Sequence, residues 1–397
     1  MKRHKNEIYG YALIFTLILT PIYISKVSAT TTIHSVSNFQ YGTIQEAINA
    51  ATPGETIIVP AGIYQETIIV NKTLTILGKD KLHTIIQKND AADIVKIVAN
   101  NVYFSNFTIR NGIHGITVTS SNNTITENIA FNNSIGIHLN KASHNIVSNN
   151  LINKTNTHPG SGIFLNGSTN NLLSNNRILE SGEGIYLRGS SNNTVIRNWL
   201  TNNSKTGICL MKAEKPTEYN IIRDNIIEEG ACYGIDFWSV KYNVIINNTL
   251  KYNGNTFSVQ YSNNNTIYHN NIINKPTQIP VYSIYSQNNW DNGFEGNYWS
   301  NYKWTEFDEF GIGTKPYNTS RNPIDQDMFP LRSPYMVGDA NHDSIVNIKD
   351  VNIVAIAWNA TQGTPKYNPH ADFNMDNIID AADIEILREK WQKTIKP

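Results

Sequence analysis

From about residue 56 to residue 290 the chain alternates apolar and polar positions in short runs, each broken by Asn, Gly, Ser or Thr. Alternation with a period of two predicts strands rather than helices, and the β-branched content agrees. The breaks recur. An Asn, an apolar alternation and a second Asn five residues later occur at Asn101/Asn106, Asn123/Asn128, Asn145/Asn150, Asn171/Asn176, Asn193/Asn198, Asn220/Asn225, Asn243/Asn248 and Asn265/Asn270. The first members are spaced 22, 22, 26, 22, 27, 23 and 22 residues apart. A Gly-Ile pair sits between them at Gly115, Gly136, Gly162, Gly184, Gly207 and Gly234. A period near 22 with brief strands predicts an all-β fold, a right-handed parallel β-helix with three strands per coil. Its coils would stack about 4.8 Å apart. One coil cannot bury its own apolar face, so stacking must create the core. Asn at a fixed coil position suits a turn, and stacked amides can hydrogen-bond from coil to coil.

A solenoid needs closed ends. Thr43 to Ala51 predicts a short amphipathic helix, with Thr43 as N-cap, Glu46 three residues on and Ile44, Ala47, Ile48 and Ala51 on one face. It would cover the N-terminal end of the core. Before it, Lys2, Arg3, His4 and Lys5 precede an apolar run from Ile8 to Ile24 and the small residues Val27-Ser28-Ala29. That order predicts a cleaved secretory signal; an uncleaved anchor is the other reading, since the run approaches spanning length. The expected location is therefore secreted or cell surface. The expected division is a signal segment over 1–29, a cap and first coils over 30–95, β-helix repeats over 96–285, a C-terminal cap over 286–335 and a separate domain over 336–397.

Charge adds little. Lys+Arg and Asp+Glu are 32 each, so a nucleic-acid partner is not expected. Export would permit a disulfide, but Cys209 lies two residues after its Gly and Cys232 two before the next. That offset is roughly 13 Å along a strand, beyond disulfide reach, so free thiols are expected. N-x-Ser/Thr sequons at Asn71, Asn106, Asn122, Asn132, Asn153, Asn166, Asn192, Asn202, Asn247, Asn264, Asn318 and Asn359 follow from Asn- and Thr-rich turns, whether or not they carry glycans.

The helix, the turn Pro60-Ala61-Gly62-Ile63-Tyr64-Gln65-Glu66, the repeats, Gly296-Asn297-Tyr298-Trp299-Ser300, Gly311-Ile312-Gly313 and Phe329-Pro330-Leu331 resemble the NosD-type, carbohydrate-binding and sugar-hydrolase (CASH) β-helix family with PbH1 repeats, over roughly 33 to 335. In relatives the stretch before Gly-Ile-Gly often looks like an Asp-rich calcium loop. Here it is Glu306-Phe307-Asp308-Glu309-Phe310, which departs from that pattern.

The C-terminal region carries the sharpest chemistry. Asp339, Asn341, Asp343, Asn347 and Asp350 stand at positions 1, 3, 5, 9 and 12 of one loop, and Asp372, Asn374, Asp376, Asp380 and Asp383 at those of a second. With the carbonyls of Ile345 and Ile378 at position 7, this is the oxygen spacing that Ca²⁺ takes. Helices are expected at Val351 to Trp358 and Ile384 to Trp391. Two copies 33 residues apart, with Asp at position 12, resemble a type I dockerin, an EF-hand-like α-helical domain. The resemblance implies docking to a cohesin-like module or a cell-envelope protein through positions 10 and 11, Ile348-Lys349 and Ala381-Ala382. The copies differ, which argues against a symmetric two-way mode. Position 6 departs as well: it is Ser344 and Asn377 where Gly is usual.

On the β-helix the Gly-Ile strand is the candidate binding face. Alternation turns Thr117, His138, Phe164, Tyr186, Cys209 and Asp236 outward, and two residues on Thr119, Asn140, Asn166, Arg188, Met211 and Trp238. Extra loops at Thr157-His158-Pro159-Gly160 and Glu214-Lys215-Pro216 would flank it. His138, Phe164, Tyr186, Arg188, Asp236 and Trp238 are candidates for polysaccharide binding by ring stacking and hydroxyl hydrogen bonds; an aromatic stripe that only stiffens the sheet is the competing reading. Catalysis is the weaker expectation. A glycosidase needs two facing carboxylates. Asp236 is the one acid on these positions, with Glu183, Asp224 and Glu228 expected in nearby turns and Arg188 the nearest base. Neither adjacent paired aspartates like those of polygalacturonases nor a calcium-carboxylate cluster like that of pectate lyases is visible. Copper, which the NosD name suggests, would need His, Cys or Met. His138, Cys209 and Met211 share the face, but two coils or more separate His138 from Cys209. His114, His144 and His158 are expected as scattered turn residues, so copper is not expected.

Overall fold

The computed structural model describes residues 33–35, 41–88, 93–155, 160–275, 280–319 and 325–394. The expected signal segment lies outside them. No helix among the described residues is long and apolar enough to cross a membrane. The chain divides into two compact units, one running to Met336 and one formed by Val337–Asn341 and Ile345–Thr394.

The first unit is the expected parallel β-helix. Among the described residues three parallel sheets of 12, 11 and 10 strands run along it, each strand pairing with its counterpart one coil on. In one representative coil the strands are Thr124–Thr126 in sheet 1, Ile129–Phe131 in sheet 2 and Ile135–Asn140 in sheet 3. Inward residues such as Ile125, Ile137, Leu139, Val147, Ile152, Ile185 and Leu187 are fully buried and form one continuous core. Gly stands before the inward Ile of sheet 3 because that corner is closed: a Cβ on Gly136 would lie 2.5 Å from Ile152 Cγ2 and 2.6 Å from the Gly162 carbonyl.

Two corners carry asparagine ladders. Between sheets 3 and 1 stand Asn123, Asn145, Asn171, Asn193, Asn220, Asn243, Asn265 and Asn288. Between sheets 1 and 2 stand Asn128, Asn150, Asn176, Asn198, Asn225, Asn248, Asn270 and Asn297. Each backbone N–H and each Nδ2 donates to Oδ1 of the next Asn, at 2.8–3.2 Å along both ladders. These side chains are buried, so each amide satisfies backbone groups that water cannot reach. The residue before the ladder Asn is left-handed at every rung but the last of each ladder, and half of these residues are Asn, as at Asn122 (φ 61°) and Asn192 (φ 59°).

The sequence pattern is off at both ladder ends. Asn101 and Asn106 are the left-handed residues of their turns, at φ 57° and 68°. Val102 and Phe107 occupy the ladder places, donating their N–H to Asn123 and Asn128. At the far end the ladders gain Asn288 and Asn297, and each then meets an acid. Asp325 Oδ1 accepts from Asn288 N at 2.9 Å, and Asp327 Oδ2 from Asn297 N at 2.7 Å. A Cβ on Gly296 would lie 1.8 Å from Asp327 Oδ1, so only glycine fits there.

The ends are closed as well. The helix Ile44–Ala50 forms with the expected capping box between Thr43 and Glu46, and buries Ile44, Ala47 and Ile48. Glu66 accepts from the N–H groups of Ile44 and Gln45, and Lys72 Nζ donates to the carbonyls of Ile48, Asn49 and Ala51. An acid at the N-terminus and a base at the C-terminus both complement the helix dipole. At the other end Trp290 and Trp299 are fully buried, and Trp299 Nε1 donates to Asp327 at 2.7 Å. Asp308 accepts from Phe310 N and Ile312 N, so its carboxylate closes its own turn.

The second unit pairs two loop–helix copies. The helices are Ile348–Ile356 and Ala381–Lys390, each starting one turn before its expected place. The cause is a capping box in which loop positions 9 and 12, Asn347/Asp350 and Asp380/Asp383, serve as N-cap and N3. The segments after each helix bridge the other copy's loop, Thr361 with Ile378 and Ile345 with Thr394.

Burial pushes Asp327 up to about 7, against hydrogen bonds from Trp299, Asn297 and Phe329 that pull it down. The folded state therefore holds this proton more tightly than the unfolded chain, whose value is 3.8. The resulting stability is complete below about pH 4 and declines as the pH rises through about 7. Thermal unfolding is expected a few degrees lower at pH 8 than at pH 5, and Asp327→Asn should remove most of that difference. An unchanged difference in the variant would place the titrating group elsewhere.

Candidate functional site

Sheet 3 presents the outward rows in the expected register. Thr117 pairs with His138, His138 with Phe164, Phe164 with Tyr186, Tyr186 with Cys209 and Cys209 with Asp236. The second row runs Asn140, Asn166, Arg188, Met211, Trp238 and Gln260, while Thr119 lies just past its strand. Of the flanking loops, residues 156–159 lie outside the described residues, and Glu214, Lys215 and Pro216 are exposed beyond the strand Thr206–Met211.

The first row is a ring stack. His138 and Phe164 are parallel with centroids 5.0 Å apart, and Phe164 and Tyr186 likewise. Neighbours therefore cover the ring faces, and a ligand meets edges and polar atoms, not the flat stacking surfaces the sequence suggested. The Tyr186 hydroxyl donates to Met211 Sδ at 3.0 Å. Burial raises the Tyr186 phenol and the Cys209 thiol, and Cys209 Sγ lies 4.0 Å from Asp236 Oδ2. Asp236 is raised by burial and lowered by the Ser258 hydroxyl; its Oδ1 has no partner. More exposed rings lie at the rim instead. Trp238, Tyr261 and Tyr285 follow one another with centroids 5.9 and 5.6 Å apart and are 40%, 49% and 81% exposed. Tyr261 and Tyr285 escaped the sequence reading because they are left-handed turn residues at φ 52° and 47° and break the alternation.

Three acids are not where a catalytic pair needs them. Glu183 is held between Ser161 Oγ at 3.1 Å and Lys205 Nζ at 3.2 Å. It lies two strands and three residues from Asp236, on the order of 14 Å from strand spacing and rise. Glycosidase carboxyls stand at most about 9.5 Å apart. Asp224 is not near this face but at the corner between sheets 1 and 2. Glu228 lies in sheet 2, accepting from Trp199 Nε1 at 2.7 Å. Both thiols are free, Cys209 buried and Cys232 exposed.

One residue the sequence set apart as a turn histidine belongs to the stack. His114 opens the strand His114–Val118, and its ring lies 4.8 Å from that of His138. Its Nδ1 is 2.6 Å from Asp93 Oδ1. Asp93 and His114 are 21 residues apart, one coil, and that spacing is the signal that could have found the pair. Burial, aided by His114, lowers His138 to about 4, so its imidazole is neutral at neutral pH.

In the second unit the two loops have the same backbone. His342 and Met375 at position 4 are left-handed (φ 49° and 61°), as are Ser344 and Asn377 at position 6 (φ 74° and 68°). Asp350 and Asp383 at position 12 are fully buried. The carboxylates are engaged by amides: Asp383 accepts from the N–H of Phe373, Asn374 and Asp380, and Asp372 from Asp376, Asn377 and the Tyr367 hydroxyl. Among the described residues no three His, Cys, Asp or Glu side chains close on one point. The shared loop shape and the all-oxygen donor set fit a hard cation. Ile348, Lys349, Ala381 and Ala382 are exposed on the first helical turns.

The fold and these sites define a parallel β-helix unit and a helical unit with two acidic loops. Residues 48–218 and 213–303 match the family described as "Periplasmic copper-binding protein (NosD)", and the chain belongs to that family. Residues 337–390 match the dockerin type I domain. A "Cell surface glycoprotein" of Methanothermus fervidus is 32% identical over 79% of this chain, which spans only 60% of that relative's length. Among solved structures the β-helix is similar to Dettilon tailspike protein (14% identity, 67% of this chain and 62% of that one, TM-score 0.54). It is also similar to pectate lyase Pel9A (14%, 71% and 84%, TM-score 0.52). These likenesses concern the fold alone.

A left-handed Ser costs on the order of 1 kcal/mol relative to Gly. Ser344→Gly is therefore expected to raise the unfolding midpoint of the region that holds the two acidic loops, followed by thermal melting. An unchanged or lower midpoint would mean that the serine side chain offsets its backbone.

Proposed function

We propose that this chain is a surface-displayed β-helix that recognises carbohydrate on the outward face of sheet 3 and is tethered by its dockerin-like region in a calcium-dependent way. The observation that carries the reading is the combination on one face of the exposed rings Trp238, Tyr261 and Tyr285 with the exposed Arg188. Exposed rings stack on the apolar faces of sugars, and the polar groups take their hydroxyls. Phe164 and Tyr186 support the face from within. The surface glycoprotein relative favours the same surroundings. Calcium would be held by Asp339, Asn341, Asp343, the Ile345 carbonyl, Asn347 and Asp350, and by Asp372, Asn374, Asp376, the Ile378 carbonyl, Asp380 and Asp383. Its charge would draw these oxygens together and fix the first turns that carry Ile348-Lys349 and Ala381-Ala382. The partner expected there is a cohesin-like module or another envelope protein.

A polysaccharide hydrolase or lyase is the second reading, favoured by the half-buried Asp236 with its raised pKa. It predicts new reducing ends that disappear in Asp236→Asn.

Two measurements separate these readings. In affinity electrophoresis through neutral and acidic polysaccharides, the full chain should be retarded by at least one polymer, and Trp238→Ala with Tyr261→Ala should abolish retardation without altering the melting curve. Retardation unchanged in that double variant would sink the proposed face. In pull-downs from envelope extract, the full chain should retain a partner in Ca²⁺ and release it in EGTA. Capture indifferent to EGTA would sink the calcium-dependent tether.

A further inference from the structure

The residue just past each strand of sheet 3 belongs to a third row. Its N–H donates to the carbonyl that ends the next strand: Lys141 to Asn166, Gly167 to Arg188, Gly189 to Met211, Lys212 to Trp238 and Tyr261 to Ile284. The backbone is left-handed at Lys141, Ser239 and Tyr261 (φ 53°, 55° and 52°) as it is at Gly167 and Gly189 (φ 61° and 57°). Since Lys, Ser and Tyr hold this conformation, it does not account for the two glycines. Their effect is space. A Cβ on Gly167 would meet nothing nearer than Lys141 Cγ, at 3.6 Å. Over Gly189 the loop after Lys212 closes down, with Ala213 Cβ 3.2 Å and Lys215 Cβ 3.6 Å from where a Cβ would stand. The row therefore has a notch at Gly167, with Lys141 on one side and Arg188 and Lys215 on the other.

The charge around this notch is one-sided. Lys141, Arg188, Lys212 and Lys215 are exposed, and none makes an ion pair among the described residues. The acids of the same coils are engaged or half-buried. Glu183 is tied to Lys205 at 3.2 Å, Glu218 to Lys241 at 3.6 Å, and Asp236 sits half-buried in the first row. Glu214 is the one exposed acid in this row and its loop. The whole chain carries 32 groups of each sign, so this local excess of base comes from placement and not from composition. Toward the C-terminus the same strip passes from bases to the rings of Trp238, Tyr261 and Tyr285.

We propose that this strip binds an acidic polysaccharide lying along the β-helix axis, with its anionic groups on Lys141, Arg188 and Lys215 and its sugar rings on Trp238 and Tyr261. The inference rests on the sugar reading of this face and adds the ligand class. Rows advance by one coil, about 4.8 Å, close to the advance per sugar along an extended glycan. A chain in this direction meets a new side chain at each unit. Arg188 offers a planar fork that takes a carboxylate or sulfate through two hydrogen bonds, and the lysines add point charge. A neutral glycan would use the rings and leave the bases without a partner.

The test is affinity electrophoresis of the full chain through polygalacturonate, hyaluronate and dextran sulfate. Each is run against its uncharged counterpart, the two methyl esters and plain dextran. EGTA is present throughout, so that no calcium bridges a polymer to the acidic loops. At least one acidic polymer should bind about tenfold more tightly than its counterpart, and added salt should weaken it. Arg188→Gln with Lys215→Gln should lose about tenfold on that polymer with an unchanged melting curve. Lys251→Gln, on sheet 2, should lose nothing. Trp238→Ala with Tyr261→Ala should weaken the acid and its counterpart alike. No preference for any acid over its counterpart, or a base variant that binds like the parent, would overturn the acidic class and leave the sugar reading to its ring variant. Binding that survives the ring variant but not the base variant would sink the sugar reading and this inference with it. Polyglutamate held as tightly as the acidic polysaccharide would show charge without sugar recognition and overturn both.

Discussion

Everything in the β-helix depends on the amide that each coil lends to the next. A tight corner between parallel strands leaves backbone N–H groups pointing at the neighbouring coil with no strand to receive them. An asparagine Oδ1 receives them, and its Nδ2 passes the same bond onward. Because the side chain is buried and both ends of its amide are used, no other residue serves equally well. Asp accepts but cannot pass the bond on, Ser is too short at these two corners, and an apolar residue accepts nothing. The apolar core supplies the driving force, while the ladders fix register, and register decides which side chains share a row.

The ladders are also directional. The bonds from Asn to Asn all run toward the C-terminus, while Nδ2 also donates back to a carbonyl of the preceding coil, so the last rung needs an acceptor that does not have to pass the bond on. Asp325 and Asp327 are such acceptors, carried on one short segment beyond the repeats, with Gly296 making room and Trp290 and Trp299 sealing the core beside them. The N-terminal end meets the converse need with a capped helix and with Val102 and Phe107, which only donate.

How much of this is legible in the sequence follows from the same physics. Period and alternation set the strands, the three-sheet coil and both outward rows of sheet 3 residue by residue, since each depends on local spacing. The helix cap at Thr43 and Glu46 and the two acidic loops are local as well. What escapes is whatever depends on an end or an orientation. Asn101 and Asn106 look like ladder members because the turn itself favours Asn, and nothing local separates the two roles. Asp325 and Asp327 lie beyond the repeats and join them only through one short segment. Alternation turns Phe164 and Tyr186 outward but leaves the tilt of each ring open, and tilt decides whether a face is offered or covered. His114 precedes its Gly, so the Gly-anchored alternation passes it by.

Because each rung offers the next the same acceptor it received from the one before, the middle coils are interchangeable modules. A whole coil gained or lost between Asn123 and Asn225 would leave both ends and every corner intact while moving Trp238, Tyr261 and Tyr285 relative to the first coils by one step of about 4.8 Å. The length of such a chain is then a quantity that can change in whole units, like links added to a ruler, without disturbing either end.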